Sequence, residues 1–97
     1  MLHPSRDQIQ LVEVLAALGH PVRAQIVRAL ASGDELFCGE VVADVPKSTL
    51  TAHWRVLREA GVICQRPEGR KLFIRLRRDD LDTRFPGLIA LLLAEDF

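Results

Sequence analysis

Apolar residues recur at helical spacing through the first third of the chain. The pattern predicts a first helix starting after His3-Pro4-Ser5, with the Ser5 hydroxyl accepting from an orphan amide, and running to about Leu18 before Gly19 stops it. Its apolar positions form two stripes, Ile9, Val12, Ala16 and Leu11, Leu15, Leu18, an arc wide enough to need partners on two sides. A second helix opens at Pro21, a favoured first-turn residue, buries Val22, Ile26, Ala29 and Leu30, and ends at Ser32-Gly33. Asp34 caps a short third helix spanning at most Leu36 to Val45, interrupted by Gly39 and closed by Pro46, because proline disfavours helix in the residue before it. A fourth helix runs from Lys47 or Ser48 to Ala60 and stops at Gly61.

Beyond Gly61 the period changes from helical to alternating. Val62 to Arg66 and Lys71 to Leu76 read as two strands, with Leu72, Ile74 and Leu76 alternating against Lys71, Phe73 and Arg75, and Pro67-Glu68-Gly69-Arg70 forms the turn. A polar stretch, RRDDLD, and Phe85-Pro86-Gly87 then lead into a final helix, LIALLLAEDF. Its Leu88, Ile89, Leu91, Leu92 and Leu93 point in every direction, so it must be covered. The first helix of a second subunit is the expected cover, with Ile9, Val12, Leu15, Leu88, Ile89, Leu92 and Leu93 at the interface, the alternative being further residues of a longer chain.

In the fourth helix Leu50, Trp54 and Leu57 share one face and anchor it to the core. The opposite face presents Ser48, Thr51, Ala52, Arg55 and Arg58, with Thr49 and His53 at its margins. Small hydroxyls in the first turn let a helix N-terminus approach a phosphate or base edge, and arginines one and two turns later reach the flanking backbone. A hairpin carrying Arg66, Arg70 and Lys71 at its tip reaches a phosphate backbone or minor groove beside that helix. Helix, strand, turn and strand in this order are the layout of a winged helix. The fold class expected is therefore mainly α with a small β-hairpin wing: a winged helix-turn-helix of four helices, the hairpin and a C-terminal helix.

Charge sharpens this reading. The formal total is zero, but residues 47–78 carry nine basic groups against Glu59 and Glu68, a net of +7, flanked by −3 over residues 1–46 and −4 over residues 79–97. Phosphate responds to the field within about 10 Å at moderate salt, so overall neutrality does not argue against a polyanionic partner. Ninety-seven residues with 48% hydrophobic content fit one domain, residues 1–97, combining DNA binding and dimerisation. No apolar stretch approaches the roughly 20 residues that span a bilayer, and MLHPSRDQIQ lacks the basic start and apolar run of a signal peptide, so a cytoplasmic location without membrane contact is expected. Cys38 and Cys64 form no CxxC pair and are expected as free thiols, Cys64 in packing.

The segments LGHPVRAQIVRAL, KSTLTAHWRVLREAGVI and EGRKLFIRL resemble the ArsR/SmtB family of bacterial winged-helix repressors, over about Leu15 to Leu76. The second segment is the most specific, through its hydroxyl pair, its His and its L-R-E-A-G ending. The resemblance implies a homodimer that binds operator DNA near its own promoter and leaves when an inducer binds, with half-sites one DNA turn, roughly 34 Å, apart. It also places Ser48, Thr49, Thr51 and His53 at DNA-facing positions, and with the basic residues the expected surface is Lys47, Ser48, Thr49, Thr51, Ala52, His53, Arg55, Arg58, Arg66, Arg70 and Lys71.

The departures bear on the effector. Metal-sensing members use a CxC in the third helix or a cluster of His and acids in the last helix. Here ELFCGE holds one cysteine and the last helix contains no His, so no metal and no cofactor is expected, and the inducer is an unknown small molecule or a redox signal. Two alternatives stand beside this reading. Cys38 near a helix N-terminus would be a sensor thiol for oxidants or reactive sulfur, against its reading as a small buried residue. Otherwise the winged helix is a protein-interaction module, which the hydroxyl-rich start of the fourth helix disfavours. No nucleophile beside a base, no paired carboxylates and no phosphate loop point to an enzyme.

Overall fold

The computed structural model describes residues 2–37 and 44–95. A 3-10 turn, Arg6–Gln8, precedes helices α1 (Leu11–Leu18) and α2 (Pro21–Ala29), strand β1 (Leu36–Phe37), helix α3 (Lys47–Ala60), strands β2 (Ile63–Glu68) and β3 (Lys71–Leu76), and helices α4 (Arg78–Arg84) and α5 (Leu88–Ala94). The three strands form an antiparallel sheet in the order β1-β3-β2.

The first predicted helix is divided. Ser5 and Gln8 form a capping box, the Ser5 side chain accepting from the Gln8 N–H and the Ser5 N–H donating to Gln8 Oε1 at 2.9 Å, but it closes only a short turn and Ile9 is then extended. The reason for the break is packing. Ile9 is 1% exposed and its side chain lies against Gly61, the left-handed residue (φ 87°) that ends α3. A continuous helix would carry Ile9 away from that contact. Along α1 the buried residues are Val14, Ala17 and Leu18, and Val12 and Leu15 face out. In α2, Ala24, Ile26 and Val27 are buried and Leu30 follows, while Ala29 is exposed, contrary to its predicted place in the core.

The predicted third helix is corrected at its start. Leu36 and Phe37 form β1, paired with Ile74 and Phe73, because β3 offers an open ladder to an apolar and an aromatic residue. Cys38 and the rest of that helix to residue 43 lie outside the described residues. The hairpin register is Ile63↔Leu76 through Glu68↔Lys71, so β2 runs two residues past its predicted end and includes Pro67, which an edge strand tolerates. RRDDLD, assigned to no element by its polar pattern, belongs to α4, whose Leu81 is fully buried.

One core joins these elements. Leu50, Trp54 and Leu57 of α3 share one cluster with Val14, Leu18, Ile26, Val27 and Leu30 of the first two helices and Ile63, Ile74 and Leu76 of the sheet. Ile89 is 0% exposed, and Leu88, Leu92 and Leu93 pack partly against the same core. Ile9, in the extended break before α1, and Ile89, in the first turn of α5, are thus core residues of the single chain, not the interface residues expected of them.

The N-terminal segment is strapped down by polar contacts. His3 Nε2 accepts from the Gln65 N–H of edge strand β2 at 3.0 Å. Arg77 donates to the Pro4 carbonyl at 2.7 Å and Arg84 to the Arg6 carbonyl at 3.0 Å. Asp80 is held between Arg6 Nε at 2.7 Å and Arg77 Nη2 at 2.9 Å, and the bond from Arg6, then that from Arg77, keeps its carboxyl below the usual range against the opposing effect of burial.

Candidate nucleic-acid interface

α3 is amphipathic for a simple reason: its buried residues Leu50, His53, Trp54, Leu57 and Ala60 fall on one face at helical spacing, which leaves most of the residues between them facing out. Lys47, Ser48, Thr49, Thr51, Ala52 and Arg55 are all exposed. Pro46 occupies the cap position, and no side chain among the described residues caps the helix. The first-turn amides therefore face outward with the hydroxyls, the arrangement that receives a phosphate. Thr51 donates its hydroxyl to the Lys47 carbonyl at 3.0 Å, which leaves its methyl and an oxygen lone pair for an incoming group.

Two residues of the expected surface face elsewhere. His53 is 8% exposed. Arg23 Nη1 donates to its Nδ1 at 3.2 Å, and because guanidinium can only donate, His53 is a neutral acceptor there. Burial first, then the neighbouring His20 and Arg23, pull its pKa down. The His20 ring lies 4.6 Å away, and its Nδ1 accepts from the Val22 N–H at 3.1 Å, capping α2 as its position before Pro21 suggests. Arg23 also donates to the Ala16 and Ala17 carbonyls at the end of α1. This His20-Arg23-His53 cluster ties α1, α2 and α3 together, and the sequence pattern missed Arg23, a basic residue whose partners are backbone atoms of a neighbouring helix. Arg58 is half-buried and donates to Gln65 Oε1 at 2.7 Å, fixing α3 to β2 instead of facing outward.

The wing is selective about its charges. Arg66 grips Glu35 with two bonds, at 2.6 and 3.2 Å, donates to Glu68 at 2.8 Å, and lies over the Phe73 ring at 5.1 Å. The Arg66 bond pulls the Glu35 carboxyl below its usual range. Arg66 is therefore a brace between β1 and the hairpin, and much of its charge is neutralised. Lys71 Nζ sits 4.8 Å from the Phe37 ring centre, and Arg70 is exposed at the tip. Arg55 meets Glu59 at 3.2 Å with both side chains well exposed, a pairing too weak to withhold it from phosphate. Among the described residues Lys47 and Arg70 make no ion pair.

Outside the core, Val12 is 77%, Leu15 49% and Leu91 64% exposed, an apolar surface on α1 and α5. Among the described residues no group of three His, Cys, Asp or Glu side chains is placed to hold a metal ion. No helix among them is long and apolar enough to cross a membrane.

An exposed, hydroxyl-bearing helix with uncapped amides, followed by a basic hairpin, defines a winged helix-turn-helix DNA-binding module. Comparison agrees: the helix-turn-helix domain family matches residues 18–66. The chain is 39% identical over 88 residues to YceK, an uncharacterised helix-turn-helix-type transcriptional regulator of Bacillus subtilis, covering 88% of this chain and 87% of that one. It is 35% identical over 85 residues to the biofilm growth-associated repressor of Agrobacterium fabrum, covering 86% and 72%. Among solved structures, HlyU from Vibrio cholerae superposes with a TM-score of 0.70 at 30% identity, covering 84% of this chain and 85% of that one. The chain belongs to the helix-turn-helix domain family and, with its relatives, to the helix-turn-helix-type transcriptional regulators. It is a DNA-binding transcriptional regulator.

Proposed function

We propose that the protein is a dimeric repressor whose α3 enters the major groove of an operator, with the wing on the flanking backbone, and which an effector other than a metal ion releases. The observation that carries this is the exposed set Lys47, Ser48, Thr49, Thr51, Ala52 and Arg55 on one face of α3, beside Arg70 and Lys71 on the wing. Thr51, Ala52 and Thr49 read base edges, and Lys47, Arg55 and Arg70 neutralise phosphates. His53 and Arg58 position the helix from behind, and Arg66 stiffens the wing.

Dimerisation rests on the apolar surface of Val12, Leu15 and Leu91, with the partly exposed Leu88, Leu92 and Leu93 beside Leu91, covered by the same surface of a second copy. Two recognition helices then address two half-sites of a two-fold operator.

The test is a set of substitutions on a labelled operator duplex. Arg55→Ala and Arg70→Ala weaken binding to every sequence and each lowers the salt slope by about one, whereas Thr51→Ala narrows the gap between operator and scrambled duplex at unchanged slope. Equal affinity and equal slope in all three variants refute this surface.

A thiol-based release through Cys38 is the second reading. What favours it is that one of the similar solved structures is a reduced form of HlyU, at 30% identity and a TM-score of 0.69. Oxidation that lowers operator affinity in the native protein but not in Cys38→Ser supports it, and a Cys38 inert to thiol reagents removes it.

A further inference from the structure

Beside the Cys64–Arg75 pair of the sheet, a cavity of about 550 Å³ opens between the base of the wing, the N-terminal segment and the start of α4, with Leu76 and Gly33 also in its wall. Four arginines, Arg6, Arg75, Arg77 and Arg78, line it together with His3 and Cys64. Only two carboxylates, Asp79 and Asp80, share the wall. Asp80 is already committed to Arg6 and Arg77, and Arg78 turns to Asp82 at 2.9 Å. Arg75 is exposed, sits directly across the strand pair from Cys64, and makes no ion pair among the described residues. Glu35, whose carboxyl also feels the Arg75 charge, is held by Arg66.

Four arginines against two carboxylates in its wall leave the cavity net positive, with Arg75 the one that makes no ion pair among the described residues, and a concave wall concentrates that field. Guanidinium forks match planar or tetrahedral oxyanions with paired hydrogen bonds, and a volume of this size suits a small molecule. We infer that this cavity binds a small organic anion presenting carboxylate or phosphate oxygens, with Arg75 as its principal contact and Arg6, Arg77 and Arg78 around it. An occupant would join the N-terminal segment, which lies over Gly61 at the end of α3, to the base of the wing, so it is placed to act as an effector. That regulatory consequence rests on the DNA-binding reading; occupancy itself does not and is tested without DNA.

Cys64 reports on the cavity from inside. In Cys38→Ser it is the single thiol, since the sequence holds two cysteines. Its reaction with a neutral disulfide reagent is followed while inorganic phosphate, succinate or citrate is added at constant ionic strength against chloride. Saturable slowing of about tenfold by at least one of these anions, absent with chloride and lost in Arg75→Gln, is the expected result. Titration calorimetry with the same anions checks it independently of the thiol, again with Arg75→Gln as the silent variant. Absence of saturation with all three probes in both measurements overturns the inference, as does equal protection in Arg75→Gln. A loss of about one unit of DNA salt slope in Arg75→Gln without anion protection assigns Arg75 to the DNA backbone and overturns it too. If anion binding is found, DNA affinity measured with and without that anion separates the two claims. An unchanged operator affinity removes the effector role, and failure to bind any DNA counts against the regulator reading while the site stands.

Discussion

Replacing Gly61 by alanine should destabilise the protein far more than the same change at Gly33, and the difference measures how firmly the N-terminal segment is seated on α3. Both glycines are left-handed, φ 87° at Gly61 and φ 89° at Gly33. A Cβ in that conformation costs about 1–2 kcal/mol wherever it occurs. At Gly33 nothing lies within 4 Å of the added carbon, so the backbone term stands alone. At Gly61 the carbon would fall 2.6 Å from Ile9 Cγ1, 2.9 Å from Ile9 Cδ1 and 3.2 Å from Pro4 Cγ. Ile9 is 1% exposed and has little room to retreat, so overpacking adds about 1–3 kcal/mol. Gly61→Ala then costs about 2–5 kcal/mol in total, a large share of the 5–15 kcal/mol that holds a typical domain. Urea unfolding at constant m-value gives both numbers from the midpoints. In the double variant Gly61→Ala with Ile9→Ala the clash disappears, so the pair should be less destabilised than the sum of its members. Equal losses at Gly61 and Gly33, or strict additivity with Ile9→Ala, would show that the N-terminal segment does not pack there as described.

Three further outcomes follow from the same contacts. His53 has a lowered pKa in the folded state, so the unfolded chain takes up its proton first; stability is full above about pH 6.5 and falls as pH drops below it, and unfolding midpoints at pH 7.5 and pH 5.5 should converge in His53→Gln relative to the native protein. Arg66 is spent on Glu35 and Glu68, so Arg66→Ala should lower the DNA salt slope less than Arg70→Ala while lowering the thermal midpoint more; the reverse order would make Arg66 a phosphate contact. Val12→Asp or Leu91→Asp should convert a dimer to monomers in sedimentation at micromolar concentration with the fold retained by circular dichroism, and an unchanged sedimentation coefficient would remove α1 and α5 from the interface.

The recognition helix and the hairpin were legible in the sequence because their signals are local. Leu50, Trp54 and Leu57 fix the inner face of α3 by spacing alone, Gly61 ends it, and alternation from Lys71 to Leu76 gives β3 to the residue. What spacing cannot show is which of several outward or marginal side chains finds a partner distant in sequence. His53 sits at the same helical pitch as Leu50 and Leu57 and so belongs to the buried face, where Arg23, 30 residues earlier, meets it. Arg66 has the composition of a DNA contact, and only the arrival of Glu35, which leads into β1 31 residues away, makes it a brace. Leu36 and Phe37 read as helix because a two-residue strand has no period of its own; β3 supplies it. Ile9 lies on an apolar stripe with Val12, and the chain breaks between them to bury one and expose the other. The four-arginine cavity was illegible for the same reason, since Arg6, Arg75, Arg77 and Arg78 converge only when the N-terminal segment folds back over β2.

The central claim, that α3 and the wing read a DNA sequence, is tested most directly by binding of the purified protein to a duplex from upstream of its own gene and to a scrambled duplex of equal length, across a range of salt. The account predicts preference for the native duplex at every salt concentration, with affinity for both falling steeply as salt rises. Equal affinity for the two duplexes, or binding indifferent to salt, would contradict it and turn attention to an acidic protein partner for the same face.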